Sequence, residues 1–215
     1  MDSWIQKYPA IPYVVPFALF IFLTGIIPYF PKTLLWGYPL KTLLVGISIL
    51  ILLKYYPILG KAHLAWAIFI GLLVFGIWIH PQHYYPWLGQ PIIFNPWVEI
   101  SLDFAWIWIG IRILGAVVVV PVIEELFWRG FVLRWLIAAD FEKIPLGTFT
   151  WSSFIWTCIL FGVEHHLWLV GMIAGIAYNL LLYRTKSLKA CIIAHSLTNL
   201  CLGVYVLYQG AWEFW

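Results

Sequence analysis

Charge is what this sequence lacks. Only 10% of its 215 residues are Asp, Glu, Lys or Arg, whereas 64% are hydrophobic. A soluble domain carries about 25% charged residues and roughly 45–50% apolar ones. Too little polar surface remains to cover a water-facing sphere, so a lipid-solvated chain is expected. Cysteine is also scarce. Cys158, Cys191 and Cys201 all fall in apolar runs, and an odd number of thiols in lipid argues against a disulfide framework. The net charge is a modest +3, with no run of lysines or arginines, which removes the usual signature of a nucleic-acid partner. An H-E-x-x-H metal helix, an internal repeat and the paired broken helices of secondary transporters are missing too.

What is present is a series of apolar runs. They cover residues 11–30, 43–53 with an extension to Tyr56, 64–79, 104–120, 149–163, 167–183 and 188–208. A bilayer core about 30 Å thick asks for around twenty such residues per helix. The pattern predicts an all-α polytopic transmembrane bundle of about 7–8 helices, the eighth being residues 123–139. Pro121 separates that stretch from the preceding run, so two helical pieces are expected there. The chain reads as one integral membrane domain over 1–215. The first run has no small-residue cleavage site behind it, so a retained helix is expected rather than a leader.

Aromatic residues are abundant, with 15 Trp among them. Trp4, Trp36, Tyr84, Tyr85, Trp87, Trp97, Trp212 and Trp215 fall where interfacial belts belong. Residues 54–63 carry Lys54 and Lys61, while residues 80–98 hold neither Lys nor Arg. Cationic loops stay on the cytoplasmic side, so these two loops are expected on opposite faces. Arg184, Lys186 and Lys189 mark a second cytoplasmic loop, and Lys7 an N terminus on the same side. Lys32 and Lys41, in a loop this scheme puts outside, speak against it.

Polar groups inside the apolar runs concentrate in the second half. Each costs at least about 2.5–3.5 kcal/mol to insert as a charge, which marks them as candidates for function. Glu124-Glu125 precede Arg129, and the four-residue spacing puts Glu125 and Arg129 on one helical face as an ion pair. Two acids at the positive end of a helix would account for the same residues without chemistry. Phe161 lies four residues before His165, with Glu164 and His166 beside it. His195 and Asn199 share a face one turn apart, deep in an apolar helix, where unpaired polar groups need partners from other helices. Interhelical hydrogen-bond glue is the plain alternative.

With these residues in place, the chain resembles the CAAX protease and bacteriocin-processing family of intramembrane endopeptidases. That family's E-E-x-x-x-R, F-x-x-x-H and H-x-x-x-N motifs match Glu124-Glu125…Arg129, Phe161…His165 and His195…Asn199. The likeness covers a core of about 120–200. In size and aromatic richness the chain is also similar to the CAAX-protease-related proteins of bacterial exosortase systems. The resemblance implies an eight-helix fold and peptide-bond hydrolysis in a membrane cavity. Glu124 would be the counterpart of the general base, with His165, His195 and Asn199 handling the water and the oxyanion. Glu125 and Arg129 would support them, and Glu164 and His166 would be flanking.

The chemistry of these side chains allows three routes. A glutamate in a low-dielectric cavity can take and return a proton, with imidazoles binding the water and then the oxyanion, and this favoured set needs no cofactor. The rival places zinc on His165, His195 and Glu124 with one open position. A Cys191–His195 nucleophile pair is the third, and it leaves the glutamates unexplained. The expected partners are a membrane-associated peptide or protein substrate and the lipid bilayer, with no nucleic acid. The expected location is a bacterial inner (plasma) membrane. A non-catalytic scaffold, an immunity or assembly factor, or a proton-coupled transporter would use the same polar residues differently.

Overall fold

A computed structural model describes residues 2–30, 34–56, 59–80, 84–91 and 93–215. Lys32 lies outside the described residues. Those described form helices and connecting turns, with no strand among them.

The helices are α1 (Asp2–Lys7), α2 (Ile11–Ile26), α3 (Leu34–Leu52), α4 (Leu64–Ile79), the short α5 (Pro96–Glu99), α6 (Leu102–Trp135), α7 (Trp151–Val163), α8 (Trp168–Thr185) and α9 (Leu188–Gln209). Four segments, Ile11–Tyr29, Leu35–Tyr55, α6 and α9, are long and apolar enough to cross a membrane. Helices α4 and α7 are apolar but shorter. Phe22, Leu50, Phe69, Trp106, Trp156 and Val204 point outward with more than half of their surface exposed. Lipid, not water, is the solvent that tolerates such a face. Trp212, one of the belt candidates, packs into the protein and is buried.

Two expectations are overturned. Residues 123–139 do not form a helix of their own, since α6 runs on through Pro121 to Trp135. The reason is a widened turn. Over Gly115–Val119 the helix adopts π geometry, and the Val120 N–H reaches back five residues to the Gly115 carbonyl. In that register the next donor would be Pro121, which has no N–H, so the Ala116 carbonyl is left without its helical partner. The Asn199 side chain supplies the missing bond, its Nδ2 donating to Ala116 O at 2.8 Å. Lys41, placed in a loop by its charge, lies inside α3 and is buried.

The connections sort by end. Ser187 Oγ donates to the carbonyls of Leu59 (3.0 Å) and Lys61 (2.6 Å), and the Lys189 N–H to Leu59 O. The Lys186 ammonium bonds to the Gly147 carbonyl. Tyr56 Oη donates to Pro12 O at 2.9 Å. Residues 12, 56, 59–61, 147 and 186–189 therefore share one end of the bundle. At the other end the 84–91 segment meets the α7–α8 turn, where the Leu88 N–H donates to His166 O and Trp168 Nε1 to Pro86 O.

Helix length sets the depth of that turn. Thirteen residues make α7 about 20 Å long, short of a bilayer core of roughly 30 Å. A helix of that length that starts at one interface ends inside the apolar layer. Close packing holds it there. A Cβ on Gly162 would lie 2.3 Å from Met172 Cγ and 2.8 Å from the Trp168 carbonyl, so only glycine lets α7 and α8 approach so closely.

Candidate active site

Three helices deliver ionisable groups to one depth. Glu124 lies eleven residues before the end of α6, about 16 Å along its axis, which matches the reach of α7. His165 sits in the turn just past α7, and His195 seven residues into α9. All three line one cavity of about 710 Å3, together with Phe161, Glu164, Tyr178, Thr198 and Asn199.

The centre is a buried chain of charge. Arg129 Nη1 donates to Glu125 Oε1 at 3.2 Å, and His195 Nδ1 donates to the same oxygen at 2.9 Å. The four-residue ion pair expected from the sequence is there, fully enclosed. Arg129 is held further by Asn179 Oδ1 (3.1 Å) and the Gly175 carbonyl (3.3 Å), both on α8. Its guanidinium lies 4.4 Å from the centroid of Phe161. Asn179 in turn donates to Thr157 Oγ1 on α7 at 2.9 Å. The arginine thus ties α6, α7 and α8 together and compensates the carboxylate that orients His195. Asn179 and Tyr178 escaped the sequence reading, although an amide inside the apolar α8 was a visible signal.

Both imidazoles have one nitrogen fixed. With Nδ1 of His195 donating to a carboxylate, its Nε2 is left as a lone pair facing Glu124 Oε2 across 3.9 Å. That gap is too long for a direct hydrogen bond and is of a size that one water donating to both atoms would bridge. His165 Nδ1 donates to Phe161 O at 2.8 Å, which likewise leaves Nε2 unprotonated in the neutral ring. Tyr178 stacks on His195 with centroids 5.0 Å apart, and its hydroxyl donates to Thr198 Oγ1 at 2.9 Å. Trp78 packs edge-on against His165 at 5.3 Å.

Glu124 is 3% exposed, and its Oε2 has no hydrogen-bond partner among the described residues. Glu164 corrects the sequence reading, because it is not a flanking residue. Its carboxyl meets that of Glu124. Its Oε2 accepts from Trp128 Nε1 at 2.8 Å, while its Oε1 has no partner. His166 bonds outward to the Leu88 carbonyl and pins the 84–91 segment over the site.

Asn199 lines the cavity but commits Nδ2 to the α6 backbone. Cys191 is fully buried, and its thiol is directed at the Tyr178 carbonyl rather than at His195. That orientation disfavours the thiol route. As for zinc, no three His, Cys, Asp or Glu side chains among the described residues converge as ligands. Each histidine still offers an Nε2, so the donors would have to move together to hold an ion.

Comparison with known proteins gives a family match. Residues 105–201 fit the family model described as type II CAAX prenyl endopeptidase Rce1-like. No curated protein and no solved structure matches the chain. The matched stretch runs from α6 into α9 and contains every acid, imidazole and guanidinium of the central charge chain. Over residues 105–201, which carry the central charge chain, the chain is similar to the type II CAAX prenyl endopeptidase Rce1-like family.

Proposed function

We propose that the chain is an intramembrane endopeptidase that hydrolyses a peptide bond in a membrane-associated peptide, with water activated by Glu124. One observation carries the reading. An unpartnered carboxylate oxygen of Glu124 and the lone pair of His195 Nε2 face each other across 3.9 Å in a membrane-depth cavity. A structural ion pair would close that distance, whereas a water-activating pair leaves it open.

In the proposed reaction the water between Glu124 and His195 gives its proton to Glu124 as its oxygen attacks the scissile carbonyl carbon. The C=O bond becomes a C–O oxyanion. Collapse of the tetrahedral intermediate breaks the C–N bond, and the proton held by Glu124 passes to the leaving amine. Glu125 holds the His195 ring through Nδ1, which leaves Nε2 to accept from the attacking water and aim it at the carbonyl carbon. His165 takes the opposite side of the water. Glu164 lies where it can exchange a proton with Glu124 between turnovers. Asn199 acts by holding the widened turn of α6 that aims Glu124.

The domain is proposed to span 1–215, with its core in α6–α9. The end bearing Lys61, Lys143 and Lys186 is assigned to the cytoplasm by the positive-inside rule, in a bacterial inner membrane. The proposed reaction uses no metal, since no three candidate donors converge among the described residues. Cleavage of a library of lipidated peptides by the protein in lipid nanodiscs, with and without a chelator, tests the reading. Chelator-resistant cutting supports it. Cutting lost to a chelator and restored by zinc alone transfers it to the metal route. A folded protein that cuts nothing returns the site to a structural role.

A further inference from the structure

The cavity that holds Glu124 extends to two cations that the proposed hydrolysis does not use. Lys41 on α3 is 8% exposed, and its Nζ donates to Thr24 Oγ1 on α2 at 3.0 Å. The Arg112 guanidinium on α6 lies 4.0 Å from the centroid of Tyr38, and its Nε is buried without an acceptor. Lys41 Nζ lies 4.9 Å from the same ring. The ring is fixed in place, because Tyr38 Oη donates to the Arg112 carbonyl at 3.2 Å. Gly115 permits that approach, since a Cβ there would stand 2.5 Å from Tyr38 Oη and 2.7 Å from Thr42 Oγ1. Neither cation pairs with a carboxylate among the described residues. Aromatic faces and one threonine hydroxyl attract two like charges without neutralising them. The pair therefore lacks the counter-charge that burial demands, and an oxyanion would supply it.

Depth and openness point to the source of that anion. Arg134, near the end of α6, donates to the Ile144 carbonyl beside Lys143. Arg112 lies about 33 Å before it along the helix, comparable to one bilayer core of roughly 30 Å. It thus falls at the headgroup level of the leaflet away from Lys61, Lys143 and Lys186. Lys41 is rooted less than two turns into the Leu35–Tyr55 span, and its long chain carries the ammonium to the same ring. This arm of the cavity also meets lipid. Ile21, Thr24 and Gly25 line it from α2 and are exposed. A Cβ on Gly25 would meet nothing within 4 Å, so open space borders that face. A free inorganic anion would leave this apolar side unfilled, whereas a phospholipid brings acyl chains along with its phosphate.

We propose that Lys41 and Arg112, with Tyr38 between them, hold the phosphate of an anionic glycerophospholipid whose acyl chains lie along the Ile21–Gly25 face of α2. The guanidinium fork suits two phosphate oxygens, and the ammonium adds a point charge. A zwitterionic headgroup would bring a third cation to a pair that already repels, which selects a lipid of net negative charge. The site is independent of the endopeptidase reading. It gives the arm between α2, α3 and α6 to a resident lipid that ties the three helices together.

The test is native mass spectrometry of the delipidated protein in neutral detergent, titrated with phosphatidylglycerol or phosphatidylcholine. Wild type is compared with Lys41→Met, Arg112→Gln and, as a cation at the other end, Lys61→Met. The first phosphatidylglycerol is expected to bind wild type roughly tenfold to a hundredfold more tightly than phosphatidylcholine, the range of hydrogen bonds to charged groups. Lys41→Met and Arg112→Gln should each bring it down towards phosphatidylcholine, and Lys61→Met should leave it unchanged. Equal binding of the two lipids to wild type overturns the proposal, whether or not the variants fold. A phosphatidylglycerol with a diazirine in its headgroup should label wild type within residues 20–28, 38–44 and 108–116. Labelling confined to the end that bears Lys61 overturns the proposal as well. Inorganic phosphate that binds as tightly as phosphatidylglycerol, and is lost in the same two variants, assigns the pair to a free anion and overturns the lipid.

Discussion

Arg129 makes three hydrogen bonds to two helices while 1% exposed, and each goes to a different chemical group. A lysine has neither the fork nor the reach to repeat that set. Arg129→Leu removes the counter-charge of buried Glu125 and is expected to cost about 3–5 kcal/mol, read as loss of thermal stability in detergent. Arg129→Lys should recover only a minor part of it. Glu164→Gln tests the carboxyl pair, because it keeps the acceptor for Trp128 but cannot exchange a proton with Glu124. Folding should survive, with kcat falling roughly tenfold to a hundredfold and KM little changed, within the range general acid–base groups contribute. A kcat unchanged in that variant would make Glu164 a bystander. The sequence marked Glu124, His165 and His195 because ionisable groups stand out in apolar runs. It could not rank Glu164, whose place depends on where α7 stops.

Element geometry carries the next layer. Proline at position 121 read as a break, yet α6 continues through it because a π turn and the Asn199 amide deal with the missing N–H. Linear spacing contains no hint of that rescue, which comes from a residue 83 positions beyond Ala116. The arrangement makes a coupled prediction. Asn199→Ala leaves the Ala116 carbonyl unsatisfied and should cost about 1–3 kcal/mol. With Pro121→Ala in the same chain, the restored N–H can take that carbonyl, so Asn199→Ala should cost distinctly less. Additive losses in thermal-shift measurements would contradict this account of the turn. Gly162→Ala inserts a methyl where backbone already stands and is expected to destabilise by about 1–3 kcal/mol.

For the whole molecule, hydropathy alone revealed the membrane class and most of the helices, because lipid leaves few alternatives to a helix. Helix pairing was hidden, and with it the depth at which motifs meet. Sidedness was only partly legible, since Lys41 counted as a loop charge until α3 enclosed it. Labelling in intact vesicles checks the topology in a Cys201→Ser background. Cysteines at Lys61 and Lys143 should react from one side and a cysteine at Leu88 from the other, and labelling of 143 together with 88 would contradict the shared ends. The central claim is that Glu124 activates water in a cavity assembled by α6, α7 and α9. Its most direct test is the turnover of Glu124→Gln on a cleavable lipidated peptide, beside wild type of matched thermal stability. The account predicts a kcat lowered by roughly 10²–10⁴-fold with peptide binding retained. A folded Glu124→Gln protein that cuts at the wild-type rate would contradict it.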